Sequence, residues 1–348
     1  MAGIDTQYYE TYNGKKATEL AFRPAMAKPE LKKFFSIVEG IKGKQAVYFI
    51  ENFDFATELD AGCGTGKKTF PLNITGETWA PVDLKAWFSA CWTDLRGKVF
   101  EWLLKAGEAK HELDDTDYED YLLHALSGAI YRDLLRMAWF ADADMLAAVL
   151  TDPALLKFFK TFNGIWKRVF QADAAGKITV VPIAANDKAG SQIFTVGSSL
   201  PLMQDMFDAA PAELNAMPLN DRQYLVTRSI YTDYLRLRET KNLDTSFILQ
   251  GDGIPSLNFR GVPIQVVDEW DIRLKAHFKV GGKIDKPHRA LLTQYGNLQL
   301  GFDSVPTNGE NENPLRVWNN VDTEEWNART KYTADAQIAD KKLIVAAY

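Results

Sequence analysis

Residues 116–140 read Thr116-Asp117-Tyr118-Glu119-Asp120-Tyr121-Leu122-Leu123-His124-Ala125-Leu126-Ser127-Gly128-Ala129-Ile130-Tyr131-Arg132-Asp133-Leu134-Leu135-Arg136-Met137-Ala138-Trp139-Phe140. The first four are a capping box, in which the threonine hydroxyl and the glutamate carboxylate satisfy each other's orphan backbone donors. Apolar side chains then recur at Tyr118, Leu122, Ala125, Leu126, Ala129, Ile130, Leu134 and Met137, a helical spacing that turns one face to a core. Six carboxylates, Glu112, Asp114, Asp115, Asp117, Glu119 and Asp120, crowd the amino end, where the helix dipole favours negative charge. A helix running to Phe140 spans on the order of 35 Å, about the width of a small domain. The stretch therefore predicts a structural spine around which the other elements pack.

The totals limit what such a chain does. Its 348 residues are enough for two or three domains, and 46% hydrophobic with 25% charged residues is globular composition. A net charge of −6 argues against a protein whose main task is gripping phosphates. Cys63 and Cys91 are too few for a disulfide framework and lack zinc-ligand spacing, which predicts a reducing, intracellular setting. Residues 1–16 contain no signal-peptide core, and nowhere do 18 apolar residues run together, so the expectation is a soluble chain with no membrane partner.

Outward from the spine, residues 1–30 lack periodicity and read as an extended arm. Pro29–Ile41 predicts a short amphipathic helix. Residues 44–81 read as strands around a glycine-rich turn: Ala46–Ile50 as one strand, then Phe53–Ala56 and Lys68–Ile74, whose alternation fits a half-exposed hairpin. Trp79–Val99 predicts strand followed by helix. Beyond Asp152-Pro153, which marks a break, helices are expected at Pro153–Phe159, Leu200–Ala209 and Asp221–Arg238. Strands are expected at Ile178–Ile183, Phe247–Leu249, Val262–Val267, Ala290–Thr293, Leu298–Gly301, Glu324–Gln337 and Lys342–Tyr348. Helices and strands mix without regular alternation, which predicts an α+β fold.

The loudest chemical motif is Glu58-Leu59-Asp60-Ala61-Gly62-Cys63-Gly64-Thr65-Gly66, which resembles the first motif of S-adenosylmethionine-dependent methyltransferases, with Asp83 as a ribose-binding acid. Such a turn works between a buried parallel strand and a helix. Here Phe53–Thr57 alternates, and Pro71 follows five residues after Gly66, so a hairpin tip is the better reading. A Walker-type loop fails as well, because Lys67 stands where a glycine is required before Lys68-Thr69. His111, His124, His277 and His288 show no metal-ligand spacing. Asp142 and Asp144 could suggest a cation but read as solvated carboxylates. Ser198-Ser199 lacks a nucleophile-elbow context.

The order of elements carries a resemblance. An arm, a glycine-tipped two-stranded extension, a long spine helix, a mixed middle and carboxy-terminal strands together resemble the major capsid proteins of tailed bacteriophages, the Hong Kong 97-like fold. Asp221–Tyr231 looks like the axial-domain helix of that family, and Phe259–Val267 is similar to the glycine-x-proline strand that commonly follows it. Leu291–Gly301 and Tyr332–Ile338 look like late capsid strands. The resemblance implies an arm over 1–43, an extended loop over 44–84, a peripheral domain with the spine over 85–155 and 315–348, and an axial domain over 156–314. It implies a shell subunit forming hexamers and pentamers around packaged double-stranded DNA, assembled in the host bacterial cytoplasm, with no catalysis, cofactor or metal. The sequence starts close to the arm, so a separate scaffolding protein is the expected partner, together with a portal. Lys67, Lys68 and Thr69 would reach a neighbouring subunit at the tip of the extended loop. A phage tube or sheath protein is the other non-enzymatic alternative.

Overall fold

The computed structural model describes residues 9–12, 29–41, 43, 46–50, 74–91, 117–240, 247–249, 255–303, 315–320, 323 and 325–348. Pro29–Phe34 (α1) opens the helical inventory and Asp117–Phe140 (α2) is the spine, 24 residues long, one residue inside the predicted start. Leu126, Ile130, Leu134 and Met137 are buried along it, as their spacing predicts. The sequence reading continued α1 to Ile41. Instead the chain turns after Phe34 into strand Ser36–Glu39 (β2), whose partner is available only in three dimensions.

Two sheets organise the rest. Tyr9–Tyr12 (β1), Leu315–Asn320 (β15), Glu325–Ile338 (β16), Leu298–Asp303 (β14) and β2 follow one another in the first, and Val82–Cys91 (β5) also pairs with β16. Thr179–Val181 (β6), Ile344–Ala347 (β17), Ala290–Gln294 (β13), Arg222–Val226 (β7), Val262–Val266 (β10), Pro255–Phe259 (β9) and Phe247–Leu249 (β8) make the second. Both parallel and antiparallel pairings occur, consistent with the predicted α+β class.

The seven-stranded sheet is a partition between two cores. Leu225, Leu291, Ile344 and Ala346 point to the core that holds α2. Their neighbours Tyr224, Val226, Leu292, Val345 and Ala347 point to the other core. This is the period-2 alternation of a strand, with apolar contacts on both sides. The α2 core is lined by three indoles in edge-to-face contact: Trp270 lies edge-on to Trp139 at 5.0 Å and to Trp166 at 4.9 Å. The second core is roofed by Ser199–Asp208 (α5) and Arg228–Thr240 (α7), which supply Leu202, Met203, Met206 and Ile230.

Three expectations are corrected here. Asp221–Arg238 was predicted as one helix, but Arg222–Val226 is a strand buried along its whole length, and the helix starts at Arg228. A short strand buried on both faces carries no period-2 signal and is easily absorbed into a following helical pattern. Phe259–Val267 is a tight hairpin, not one strand: Arg260 and Gly261 take φ of +50° and +85°, the left-handed pair a two-residue turn needs. Ile165–Ala174 (α4), where the sequence predicts a turn at Phe162–Ile165 and no helix, is a helix with Ile165, Trp166 and Val169 buried. Pro153–Phe159 (α3) and Asp268–Ala276 (α8) complete the helices used below.

Candidate assembly surfaces

Ala46–Ile50 (β3) and Ile74–Thr78 (β4) pair antiparallel, Ile50 opposite Ile74 and Ala46 opposite Thr78. The strand expected at Ala46–Ile50 is present and pairs with 74–78, whereas the hairpin expected from Phe53–Ala56 and Lys68–Ile74 lies, apart from Ile74, outside the described residues. The root of the β3–β4 pair is fastened to the first sheet. Lys341 pairs with Glu77, the Gln337 amide donates to the Thr78 carbonyl at 3.4 Å, and the Ala80 amide donates to Asp335 Oδ2 at 2.8 Å. Lys67, Lys68, Thr69 and the glycine turn at 58–66 lie outside the described residues. Strands on either side of that turn pair with each other in antiparallel fashion, whereas a cofactor-cradling turn needs a parallel strand feeding a helix.

The second surface is the segment 187–197. Ile193 is 73% exposed and Val196 78%, large apolar side chains directed to solvent. Their backbone is nevertheless clamped. Asn186 donates to the His288 carbonyl at 2.7 Å and accepts from its amide at 2.9 Å. Gln192, in left-handed conformation at φ +57°, does the same to Ile284 at 2.7 and 3.1 Å. Buried His288 lies 2.7 Å from Ser229 Oγ through Nδ1 and 3.1 Å from the Gln192 carbonyl through Nε2. Burial pushes its pKa down, so the neutral ring is the form this site holds. Asp233 closes the far end, accepting from the Gly197 amide at 2.8 Å and the Ser199 amide at 3.0 Å. An apolar tip on so constrained a backbone loses little entropy when it docks.

A cationic-aromatic cluster supports this half of the molecule. Arg289, 3% exposed, lies 4.8 Å over Trp166 and donates to the carbonyls of Lys286 and Asp285 at 2.9 and 3.0 Å. Burial lowers its pKa to about 10. Lys286 caps the Tyr348 ring at 3.7 Å, and the Tyr348 hydroxyl donates to Asp173. These contacts fix α4 to the strands behind it.

The chemistry sought in the sequence does not assemble. Among the described residues no group of three or more His, Cys, Asp or Glu could hold a metal ion. Asp142 and Asp144 are bridged by Lys167, at 2.8 and 3.6 Å, so their counter-ion is an ammonium group. No described helix is long and apolar enough to cross a membrane.

No protein-family model matches this chain, and no curated protein matches it. Solved structures do. A chain of the satellite phage P4 procapsid including size determination (Sid) protein superposes with a TM-score of 0.57 at 11% identity, covering 93% of this chain and 96% of that one. The fold is that of a phage capsid protein. The holo-SrpI encapsulin complex of Synechococcus elongatus is similar at a TM-score of 0.48, 10% identity, and 92% and 87% coverage. The capsid of the cyanophage P-SCSP1u is similar at 0.47, 11% identity, and 100% and 91% coverage.

Within this capsid fold the sequence reading missed the exposed segment 187–197. An available signal was Ile193 and Val196 on either side of the core-packed Phe194, following the polar, glycine-containing run 187–192.

Proposed function

We propose that this chain is the major capsid protein of a tailed phage or prophage, built on the Hong Kong 97-like plan. It would assemble with itself into pentamers and hexamers of an icosahedral shell around double-stranded DNA. The observation that carries the reading is the capsid fold shared over 93% of the chain. The clamped apolar segment at 187–197 and the anchored hairpin root supply contacts of the kind symmetric shells repeat. In this reading residues 1–43 are the arm, 44–84 the extended loop, 85–155 with 315–348 the peripheral domain, and 156–314 the axial domain. Lys67, Lys68 and Thr69 touch a neighbouring subunit from the loop tip. The role is structural and non-enzymatic. A scaffolding protein and a portal are the partners in assembly, which takes place in the bacterial cytoplasm, and the mature site is the virion shell.

Expression followed by electron microscopy, with and without a phage scaffolding protein, tests this. Closed shells or five- and six-fold capsomers are the expected result. A strictly monomeric chain under every assembly condition overturns it, and helical tubes would assign the chain to a tail structure instead.

A further inference from the structure

The outer face of the β5–β16 ribbon has an unusual charge arrangement. Along β5, Leu84, Ala86 and Phe88 turn inward against the α2 core, which leaves Asp83, Lys85, Trp87 and Ser89 facing out. The antiparallel register places Lys85 directly opposite Lys331 and Trp87 directly opposite Arg329. Arg329 in turn stands opposite Arg316 of β15. Like charges directly across an antiparallel pair destabilise it, and here two such oppositions fall in adjacent rows about 7 Å apart. Among the described residues no carboxylate forms an ion pair with Lys85, Arg329 or Lys331. Lys85 and Arg329 each lie 5.7 Å from the centre of the Trp87 ring. That indole is 57% exposed, donates to Asn327 at 3.3 Å, and lies 6.4 Å from Trp318. A rigid indole flanked by uncompensated cations is a seat for an acidic, partly apolar segment.

This chain carries such a segment. Residues 112–120 hold six carboxylates in nine positions, with Leu113 and Tyr118 between them. Helix α2, which continues that segment, packs against the inner side of the same sheet, where Leu126, Ile130 and Leu134 meet Ala328, Tyr332 and Ala334. Among the described residues no carboxylate of α2 pairs with the outer row. We infer that the outer face formed by Lys85, Trp87, Arg329 and Lys331 receives the acidic segment 112–120 of a second copy of this chain. The inference rests on the capsid-subunit reading, deepening it by naming one charge-matched contact between subunits.

Two measurements test it. First, a peptide of residues 110–122 is titrated into the full-length chain at low salt while tryptophan fluorescence is followed. Saturable binding that weakens at least roughly tenfold in the Lys85→Glu/Lys331→Glu chain is expected, since reversed charge at a contact repels its partner. No binding at about 1 mM peptide, or equal binding by the reversed chain, overturns the inference. Second, Lys85→Glu/Lys331→Glu and Asp114→Lys/Asp115→Lys chains, each shown folded by circular dichroism, are assembled alone and mixed. Both fail alone and recover shells when mixed if the contact joins two copies. Recovery only when all four changes share one chain shows pairing within a subunit and overturns it. Shells of normal yield that merely lose nucleic acid would reassign the face to nucleic acid. A wild-type chain that binds the peptide but never forms shells sinks the capsid reading and leaves the contact between copies standing.

Discussion

Arg168 of α4 reaches Asp335 of β16, its Nη2 lying 2.9 Å from one carboxylate oxygen and 3.1 Å from the other. Asp335 is 1% exposed and also accepts the amides of Ala80 and Ala336, at 2.8 and 2.9 Å. One carboxylate thus joins a helix, the first sheet and the connection from β4 to β5. Removing either partner leaves a buried charge, so Arg168→Ala should cost about 3–5 kcal/mol in urea denaturation. Replacing both by apolar residues should not restore full stability, because the Ala80 and Ala336 amides keep no acceptor, at about 1–3 kcal/mol each.

Two glycines should respond with opposite sign. A Cβ on Gly164 would sit 2.7 Å from the Met137 carbonyl and 2.9 Å from that of Ala138, backbone that cannot yield. Gly128, inside α2, has nothing within 4 Å of a Cβ. Gly164→Ala should therefore lower stability by roughly 1–3 kcal/mol through overpacking. Gly128→Ala should raise it by about 0.5–1 kcal/mol by relieving the helix of its glycine. Thermal unfolding of the two variants side by side is the check.

His288 sets a pH dependence. Its folded pKa is lowered from the ordinary 6.5, first by burial and then by Lys275, while the Gln192 carbonyl and Asp271 pull it upward. As pH falls through 6.5 the unfolded chain takes up the proton before the folded one does. The stability the neutral ring contributes is therefore complete above that value and lost as pH falls through it toward the folded pKa. Asp271, whose own pKa burial raises, acts with the opposite sign. Comparing the wild-type chain with His288→Asn, which can keep a hydrogen bond to Ser229, separates the two. Between about pH 8 and pH 5.5 the variant should lose less stability than the wild type.

Ile193→Ser with Val196→Ser should leave the unfolding midpoint of the isolated subunit within about 0.5 kcal/mol, since neither side chain is buried. Under the capsid reading the same double variant should lower shell yield in sedimentation. Unchanged yield would remove this segment from the assembly contacts.

How far the sequence reveals the molecule depends on which distances matter. The spine was legible because its signals are local: a capping box at 116–119 and buried residues at helical intervals through Met137. Helix Ile165–Ala174 was equally local, since Ile165, Trp166, Val169 and Phe170 fall on one face, but the preceding Asn163-Gly164 is a turn signal that competes with it. Strand Arg222–Val226 was hidden for another reason: burial on both faces erases alternation. The outer face of the β5–β16 ribbon was beyond reach, because Trp87 and Asn327 meet across 240 residues of chain and only register brings their neighbours into one row. Lys67, Lys68 and Thr69, proposed from the resemblance, lie outside the described residues.

The position of β17 has a consequence for the order of synthesis. Residues 344–347 are inserted between β13 and β6, with Ile344 and Ala346 in one core and Val345 and Ala347 in the other. Neither core can close until residue 347 has been made, although most of their other residues emerge long before. Contacts that late and that distant in sequence make folding slow to commit. Chains that stop before residue 344 lack this strand, leaving both cores open and the fragment unfit to assemble. The fold thereby makes both cores wait on a strand that is made after nearly all their other residues.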